Sequence, residues 1–267
     1  MLKDITLGQF FPGKSPVHRL DPRTKLILLI VYIVVLFVAS WWISYAVCFA
    51  FLAMTVAVSR IPLKALIRGL KPLLFILIFT GILNLFFTSG TPIWDWGAFS
   101  ITWEGLEQAG KMMLRIMMLV SATFLLTYTT SPIALTDGLE SLLGPLKHIK
   151  VPVHELSMMM CIALRFIPTL IEETDKIMSA QKARGADFES GNILQKVKAL
   201  VPILVPLFIS AFRRADELAT AMECRCYHGG DGRTKMKLLR YKRNDYLVYF
   251  LGLLLLAGII ALNWFGL

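Results

Sequence analysis

Residues 26–59 read LILLIVYIVVLFVASWWISYAVCFAFLAMTVAVS and contain no Asp, Glu, Lys or Arg. A membrane-spanning helix needs about 20 apolar residues at about 1.5 Å each, so this run is too long for one span. Residues 40–44 interrupt it with two serines and two tryptophans. Trp41, Trp42 and Tyr45 would then lie at the membrane interface, where amphipathic aromatic rings are favoured. The run therefore predicts two membrane helices joined by a turn at 40–44.

The rest of the composition agrees with a membrane protein. The chain has 267 residues, of which 56% are apolar and 17% charged, with a mean hydropathy of +0.65. An ordinary soluble domain is about 45–50% apolar and about 25% charged. Further charge-free runs cover residues 72–94, 116–136 and 246–267. We predict an all-α polytopic membrane protein with about five transmembrane helices, and we exclude a disordered chain, a disulfide-rich module and an ordinary nucleic-acid-binding domain.

Lysine and arginine are distributed unequally between the two sides of the predicted helices. They are frequent before residue 26, between residues 60 and 71 and throughout 131–244, whereas the loop 89–111 has only Lys111. Cytoplasmic loops carry the excess of these residues. The N-terminus and residues 131–244 are therefore predicted to be cytoplasmic, in a multi-pass protein of the cell membrane. This topology, together with anionic lipid, accounts for the net charge of +10 without a nucleic acid.

Three regions follow from this topology. Residues 1–130 hold the N-terminal cytoplasmic segment and transmembrane helices 1–4, residues 131–244 form a cytoplasmic region, and residues 245–267 form the last transmembrane helix. The middle region is too long to be a simple connector.

Start and stop signals divide the cytoplasmic region into helices. One helix is predicted to open at Pro132 and to end at Gly144. A second opens at Pro152, is kinked at Pro168 and runs towards Arg184, and the acidic residues 172–175 are interpreted as a solvated helix start. The last helix is predicted to run from about Pro206 to Cys226.

Two of these predicted helices end alike. Asp175-x-Ile177-x-x-Ala180-x-x-x-Arg184 matches Asp216-x-Leu218-x-x-Ala221-x-x-x-Arg225 at a constant offset of 41 residues. A cation at a helix C-terminus is favourable by about 0.3–1 kcal/mol, and the glycine after Arg184 is a good helix terminator. The repeat therefore has an ordinary explanation in helix stability. The alternative is that each tip inserts an arginine, whose planar fork makes several directed hydrogen bonds, into a pocket on a soluble partner.

At these residues the chain resembles the transmembrane T component (the EcfT, CbiQ-like family) of energy-coupling factor (ECF) transporters, which are powered by ABC-type ATPases. The resemblance covers nearly the whole chain. The motifs that carry it are HRLDPRTK at 18–25, LRFIP at 164–168 with AQKARG at 180–185, and DELA at 216–219 with AMECRC at 221–226 and Arg233-Thr234.

The resemblance implies a non-catalytic subunit that transmits ATP-driven motion during vitamin or metal-ion uptake. Its implied partners are two ABC-type ATPase subunits, which hydrolyse the ATP, and a small membrane S component that binds the substrate; it implies no cofactor and no metal of its own. The residues implied to dock the ATPases are Ala183, Arg184, Gly185, Cys224, Arg225 and Cys226, where the two cysteines depart from the small residues of the family pattern. The residues implied to form the S-component or coupling surface are Leu156, Met159, Met160, Ile162, Leu164 and Phe166.

Two other functions remain open from the sequence. A self-contained secondary transporter or channel predicts charged or polar groups near the membrane midplane and internal transmembrane repeats. A membrane enzyme is conceivable at Cys224, Cys226 and His228, because thiolates and imidazole suit zinc or copper.

Overall fold

A computed structural model describes residues 10–88, 91–96, 99–186, 188, 193–229 and 238–264. The elements are helices α1 (Pro22–Val38), α2 (Trp42–Ser59), α3 (Leu63–Leu70) and α4 (Leu74–Phe87), strands β1 (Pro92–Trp96) and β2 (Phe99–Thr102), and helices α5 (Trp103–Thr129), α6 (Pro132–Leu143), α7 (Val153–Ala183), α8 (Ile193–Glu223) and α9 (Arg243–Trp264). Short 3-10 turns cover Lys71–Leu73 and Gly144–Ile149. The all-α prediction is confirmed, and the antiparallel hairpin of β1 and β2 is a small addition to it.

The predicted membrane helices are present. A turn separates the first two helices as predicted, but it covers residues 39–41 and not 40–44, because α1 ends at Val38 and α2 begins at Trp42. Among the residues that the structure describes, five segments are long and apolar enough to cross a membrane: Trp42–Ser59, Leu63–Phe87, Trp103–Thr129, Val153–Ala183 and Arg243–Trp264. Helix α1, with 17 residues, is slightly shorter than these.

Helix α7 is among these segments, although the distribution of lysine and arginine predicts a cytoplasmic position for it. Its most apolar stretch has a mean hydropathy of 1.3, below the 1.5 to 2.2 of the other four. Length and composition therefore admit α7 as a span but favour it least.

The contacts divide the chain into two units, one formed by Gly8–Gly138 with Leu239–Leu267 and the other containing Leu139–Leu238. In the first unit, helices α1, α2, α5 and α9 share an apolar core. Its fully or almost fully buried members include Val35, Leu36, Tyr45, Met118 and Ile259. Burial of such side chains from water contributes about 1.5–3 kcal/mol each in a soluble core; in a membrane the contribution comes from close packing instead.

A polar cluster joins the ends of α1, α5 and α9 beside this core. Asp21 caps α1, because its carboxylate accepts the Arg23 amide at 3.0 Å. The fully buried Asp245 carboxylate accepts two backbone amides, that of Asp21 at 2.9 Å and that of Lys242 at 2.7 Å. Lys25 Nζ donates to the Thr129 carbonyl at 2.9 Å, which would otherwise lack a partner at the end of α5. The motif at 18–25 thus ties three helices together.

Two sequence expectations about α7 and α8 are wrong. Helix α8 begins at Ile193, well before the predicted Pro206, and continues through both Pro202 and Pro206. Helix α7 continues through Pro168, so residues 172–175 lie inside a helix and do not begin one. A proline removes one helix hydrogen bond, and packing of the long helix against a neighbour can offset that loss.

Replacing Asp245 with alanine is expected to destabilise the first unit. The change leaves the buried amide of Asp21 without an acceptor, at about 1–3 kcal/mol, and also removes the acceptor of the amide of Lys242, an exposed residue. The midpoint of thermal unfolding of the purified protein in detergent measures this loss. Asp216→Ala, at an exposed aspartate, is the matched control. An equal midpoint for the two variants would show that the Asp245 carboxylate does not hold these helix ends.

Candidate functional site

In the second unit α7 and α8 pack as an antiparallel helical hairpin. Gln181, at the end of α7, contacts Pro202 near the start of α8, and Glu173 contacts Arg214 further along. Ile162, near the start of α7, lines the same apolar cleft as Met222 at the end of α8. Because contact positions fall along α7 as they rise along α8, the two C-terminal ends point in opposite directions.

An ion pair lies midway along the hairpin. The Glu173 carboxylate accepts the Arg214 guanidinium at 2.6 Å and also the Ser210 hydroxyl. These contacts join the middle of α7 to α8 and hold the two helices in register.

A second polar contact compensates for a backbone hydrogen bond that α8 lacks near its prolines. In a helix the carbonyl of Pro202 would accept the amide of residue 206, but Pro206 has no amide hydrogen. Gln181 Nε2 donates to this carbonyl at 3.3 Å. The side chain of Gln181 thus supplies the hydrogen bond that Pro206 cannot, and attaches the end of α7 to α8.

The start of α7 is attached to the end of α6 by Glu140. One carboxylate oxygen lies 3.1 Å from His154 Nδ1 and the other accepts the Ser157 hydroxyl at 3.2 Å. Both ends of α7 are therefore held by side-chain hydrogen bonds within this unit.

The tip of α7 has a well-defined backbone geometry. Arg184 is the C-cap; the Gly185 amide donates to the Lys182 carbonyl and the Ala186 amide to the Gln181 carbonyl, both at 3.0 Å. Gly185 has a φ of +87°, in the left-handed region that only glycine adopts without strain. This pair of bonds is the Schellman motif. It turns the chain away and leaves Ala183, Arg184 and Gly185 exposed.

The tip of α8 repeats this geometry 41 residues later. The Cys226 amide donates to the Glu223 carbonyl at 2.9 Å and the Tyr227 amide to the Met222 carbonyl at 3.1 Å. Cys226 takes the place of Gly185, with a φ of +54°. Cys224, Arg225 and Cys226 are all exposed. A cysteine therefore adopts the glycine-type conformation here, and Arg225 occupies the same backbone position as Arg184.

The likeness extends into the two helices. Both have 31 residues. The Ser179 hydroxyl donates to the Asp175 carbonyl at 2.7 Å, and the matched Thr220 hydroxyl donates to the matched Asp216 carbonyl at 2.9 Å. The repeat seen in the sequence is thus a structural repeat.

The two arginines are far apart. Gln181 contacts Pro202 beside one tip, and Arg225, which lies two residues past the end of α8, follows Pro202 by 23 residues. At about 1.5 Å per residue the tips are separated by roughly 35 Å. One small pocket therefore cannot hold both arginines.

The six apolar residues assigned to the coupling surface do not share one face. Leu156, Met159 and Met160 are exposed on the first turns of α7. Ile162 and Phe166 line the cleft against α8, and Leu164 is half-buried. Sequence reasoning missed a larger exposed stripe on α8, whose helical spacing of three to four residues was its signal. Its members are Leu200, Val201, Leu204, Val205, Phe208, Ile209 and Phe212.

The proposed metal ligands form no metal site within the part of the chain that the structure describes. Cys224 and Cys226 are exposed free thiols. No group of three or more histidine, cysteine or acidic side chains, among the residues described, is arranged to hold a metal ion.

The fold defines an all-α polytopic membrane protein that carries a hairpin of two matched long helices. The family model described as "Cobalt transport protein" (CbiQ) matches residues 13–236. Three relatives are named energy-coupling factor transporter transmembrane protein EcfT. That of Ruminiclostridium cellulolyticum is 54% identical over 99% of both chains, and that of Thermosediminibacter oceani is 55% identical over 97% of this chain and 98% of its own. That of Bacillus subtilis is 49% identical over 97% of this chain and 98% of its own. The chain belongs to the EcfT family of transporter transmembrane components.

Substitutions at the two left-handed positions, Gly185 and Cys226, are expected to change the stability of the two helix caps in opposite directions. A side chain in this conformation costs about 1–2 kcal/mol relative to glycine, and a branched side chain costs most. Gly185→Val should therefore speed hydrogen exchange of the Ala186 amide by roughly 5- to 30-fold, whereas Cys226→Gly should slow that of Tyr227. Hydrogen exchange read by mass spectrometry measures both. Slower exchange after Gly185→Val would contradict the assigned cap.

The role of Gln181 can be tested by a double-mutant cycle with Pro206. Gln181→Leu removes the donor to the Pro202 carbonyl, at about 0.5–1 kcal/mol, and should speed hydrogen exchange in α8 around residue 202 by roughly two- to fivefold. Pro206→Ala restores an amide that bonds to that carbonyl, so Gln181→Leu should then have little further effect. Equal effects of Gln181→Leu in both backgrounds would show that Gln181 does not replace the missing bond.

Proposed function

We propose that this transmembrane component couples two ABC-type ATPase subunits to a small membrane S component during uptake of a vitamin or metal ion. The α7 and α8 tips would each dock into one ATPase through Arg184 and Arg225. ATP hydrolysis would take place in the partners, and this chain would transmit their motion.

The observation that carries the proposal is the duplication of one backbone geometry at the two tips. Helix stability alone explains a basic residue near a helix end, but it does not require two ends that match bond for bond. The roughly 35 Å between the arginines suits two separate pockets better than one. Arginine is suited to such pockets because its planar guanidinium makes several directed hydrogen bonds and stays charged.

The internal contacts of the hairpin support a mechanical role. A displacement applied at one tip passes along a helix that is held to its neighbour by Glu173, Arg214 and Gln181. Packed helices joined by hydrogen bonds and ion pairs can carry coupling between distant sites. The hairpin would then move as one body when the distance between the two ATPase subunits changes.

The exposed apolar residues of the hairpin offer a surface for the S component. The stripe on α8 and the exposed residues Leu156, Met159 and Met160 of α7 would receive it. Methionine side chains adapt to different partners, which would suit a component that accepts more than one S component.

The proposed docking predicts a large effect of charge reversal at either tip. Loss of an arginine anchor from a buried pocket costs about 2–4 kcal/mol, so Arg184→Glu and Arg225→Glu should each weaken binding of the purified ATPase pair by roughly 30- to 1000-fold. Surface-immobilised binding measures the affinity, and uptake by reconstituted vesicles should fall with it. Arg213→Glu, at another exposed arginine of α8, is the matched control.

Two results would contradict the docking. One is unchanged affinity of both tip variants. The other is an equal loss in the Arg213 control, which would show that overall positive charge, and not the tips, holds the ATPases.

The cytoplasmic position of α7 makes a separate prediction. In a variant without native cysteines, Ile149→Cys lies before the long helix and Lys182→Cys lies in its last turn. Both should react with a membrane-impermeant maleimide in inside-out vesicles and be protected in right-side-out cells. Reaction from opposite sides of the membrane would show that α7 crosses it.

A further inference from the structure

The two tips share their backbone but differ in their reactive chemistry. At the α7 tip Arg184 is flanked by alanine and glycine, which have no reactive group. At the α8 tip Arg225 is flanked by two exposed free thiols, Cys224 and Cys226. Reactive thiols are therefore present at the α8 tip and absent from the α7 tip, although the two tips match in their backbone.

Cys226 also stands at a position where cysteine carries a backbone cost. Its φ of +54° corresponds to the +87° of Gly185, and a side chain in this region costs about 1–2 kcal/mol relative to glycine. The matched tip shows that glycine satisfies the same pair of hydrogen bonds. The cap geometry thus gives no reason for a thiol at residue 226.

The remaining cysteines lie in different surroundings. Cys48 is buried in the apolar core of the first unit, and Cys161 is only partly exposed. Exchange with a disulfide in solution requires access to the attacking sulfur. Cys224 and Cys226 are therefore the two thiols in this chain best placed to react.

We propose that Cys224 and Cys226 form a thiol-modification site that controls docking of the α8 tip, and this inference rests on the proposed function. The modifying agent is a small-molecule disulfide of the glutathione type. A cysteine thiolate attacks one sulfur of the disulfide, a new sulfur–sulfur bond joins cysteine to the small molecule, and the other half leaves as a thiolate that takes up a proton. A thiol reductant reverses the exchange.

The adduct would prevent docking of Arg225 by a steric effect and by an electrostatic effect. An anchoring arginine binds in a pocket from which water is excluded, so a bulky group on the next residue prevents its insertion. The adduct is attached to a residue next to Arg225, so its carboxylates can pair with the Arg225 guanidinium. The guanidinium would then be less available to bind in the ATPase pocket. The α7 tip has no thiol and keeps its partner.

The test measures binding of the ATPase pair before and after modification. Purified chain is treated with glutathione disulfide, the excess is removed, and peptide mass spectrometry locates the adduct. Affinity for the ATPase pair is then compared with that of the same preparation before treatment. Modified wild type is expected to bind roughly tenfold or more weakly and to recover after reduction.

The variant Cys224→Ser/Cys226→Gly, which retains Cys48 and Cys161, is compared with its own untreated state and should show no change on treatment. The inference is overturned if wild type carries the adduct at residue 224 or 226 and binds as before. It is also overturned if excess reagent leaves both residues unmodified, or if the variant loses affinity to the same extent. Failure of untreated wild type to bind the ATPases would instead contradict the proposed function, and this inference with it.

Discussion

A long helix can present an arginine at its tip only if the chain turns away immediately afterwards. At Arg184 and Arg225 this is achieved by the same two backbone hydrogen bonds and by a left-handed residue directly after the arginine. The two carbonyls that accept these bonds would otherwise lack partners at a helix end. Everything proposed about docking depends on this closure, because without it the helix would fray and the arginine would have no fixed direction.

The closure would be of little use on a helix that bends freely. Both helices of the hairpin contain proline, which removes helix hydrogen bonds and permits bending. The compensation lies between the helices: Gln181 supplies the bond lost at Pro206, and Glu173 binds Arg214 and Ser210 across the hairpin. These contacts attach the two proline-containing helices to each other along the hairpin. The N-terminal motif joins helices in the first unit in a similar way, because hydrogen bonds of Asp21 and Lys25 connect α1 to α9 and α5.

Much of this could be predicted from residue type and spacing. Charge-free runs located the membrane helices, and the constant offset of 41 residues located both arginines. The same offset aligns Cys226 with Gly185, so the left-handed cysteine could have been predicted from the repeat although not from its residue type. The start of α8 could not be predicted, because prolines usually mark helix boundaries. The hydrogen bond that compensates for Pro206 comes from another helix. The pairing of Glu173 with Arg214 likewise depends on the register of the hairpin, which local sequence does not specify. The apolar stripe of α8 had a helical period and was overlooked because the helix was expected to begin at Pro206.

The central claim is that the hairpin joins two different partners, one at each tip. The most direct measurement places a photo-crosslinking amino acid at residue 183 or at residue 224 in the assembled transporter and identifies the attached chain by mass spectrometry. The account predicts that both positions crosslink to ATPase and that each reaches a different ATPase subunit. Crosslinks from both positions to the same subunit, or from neither to an ATPase, would contradict it.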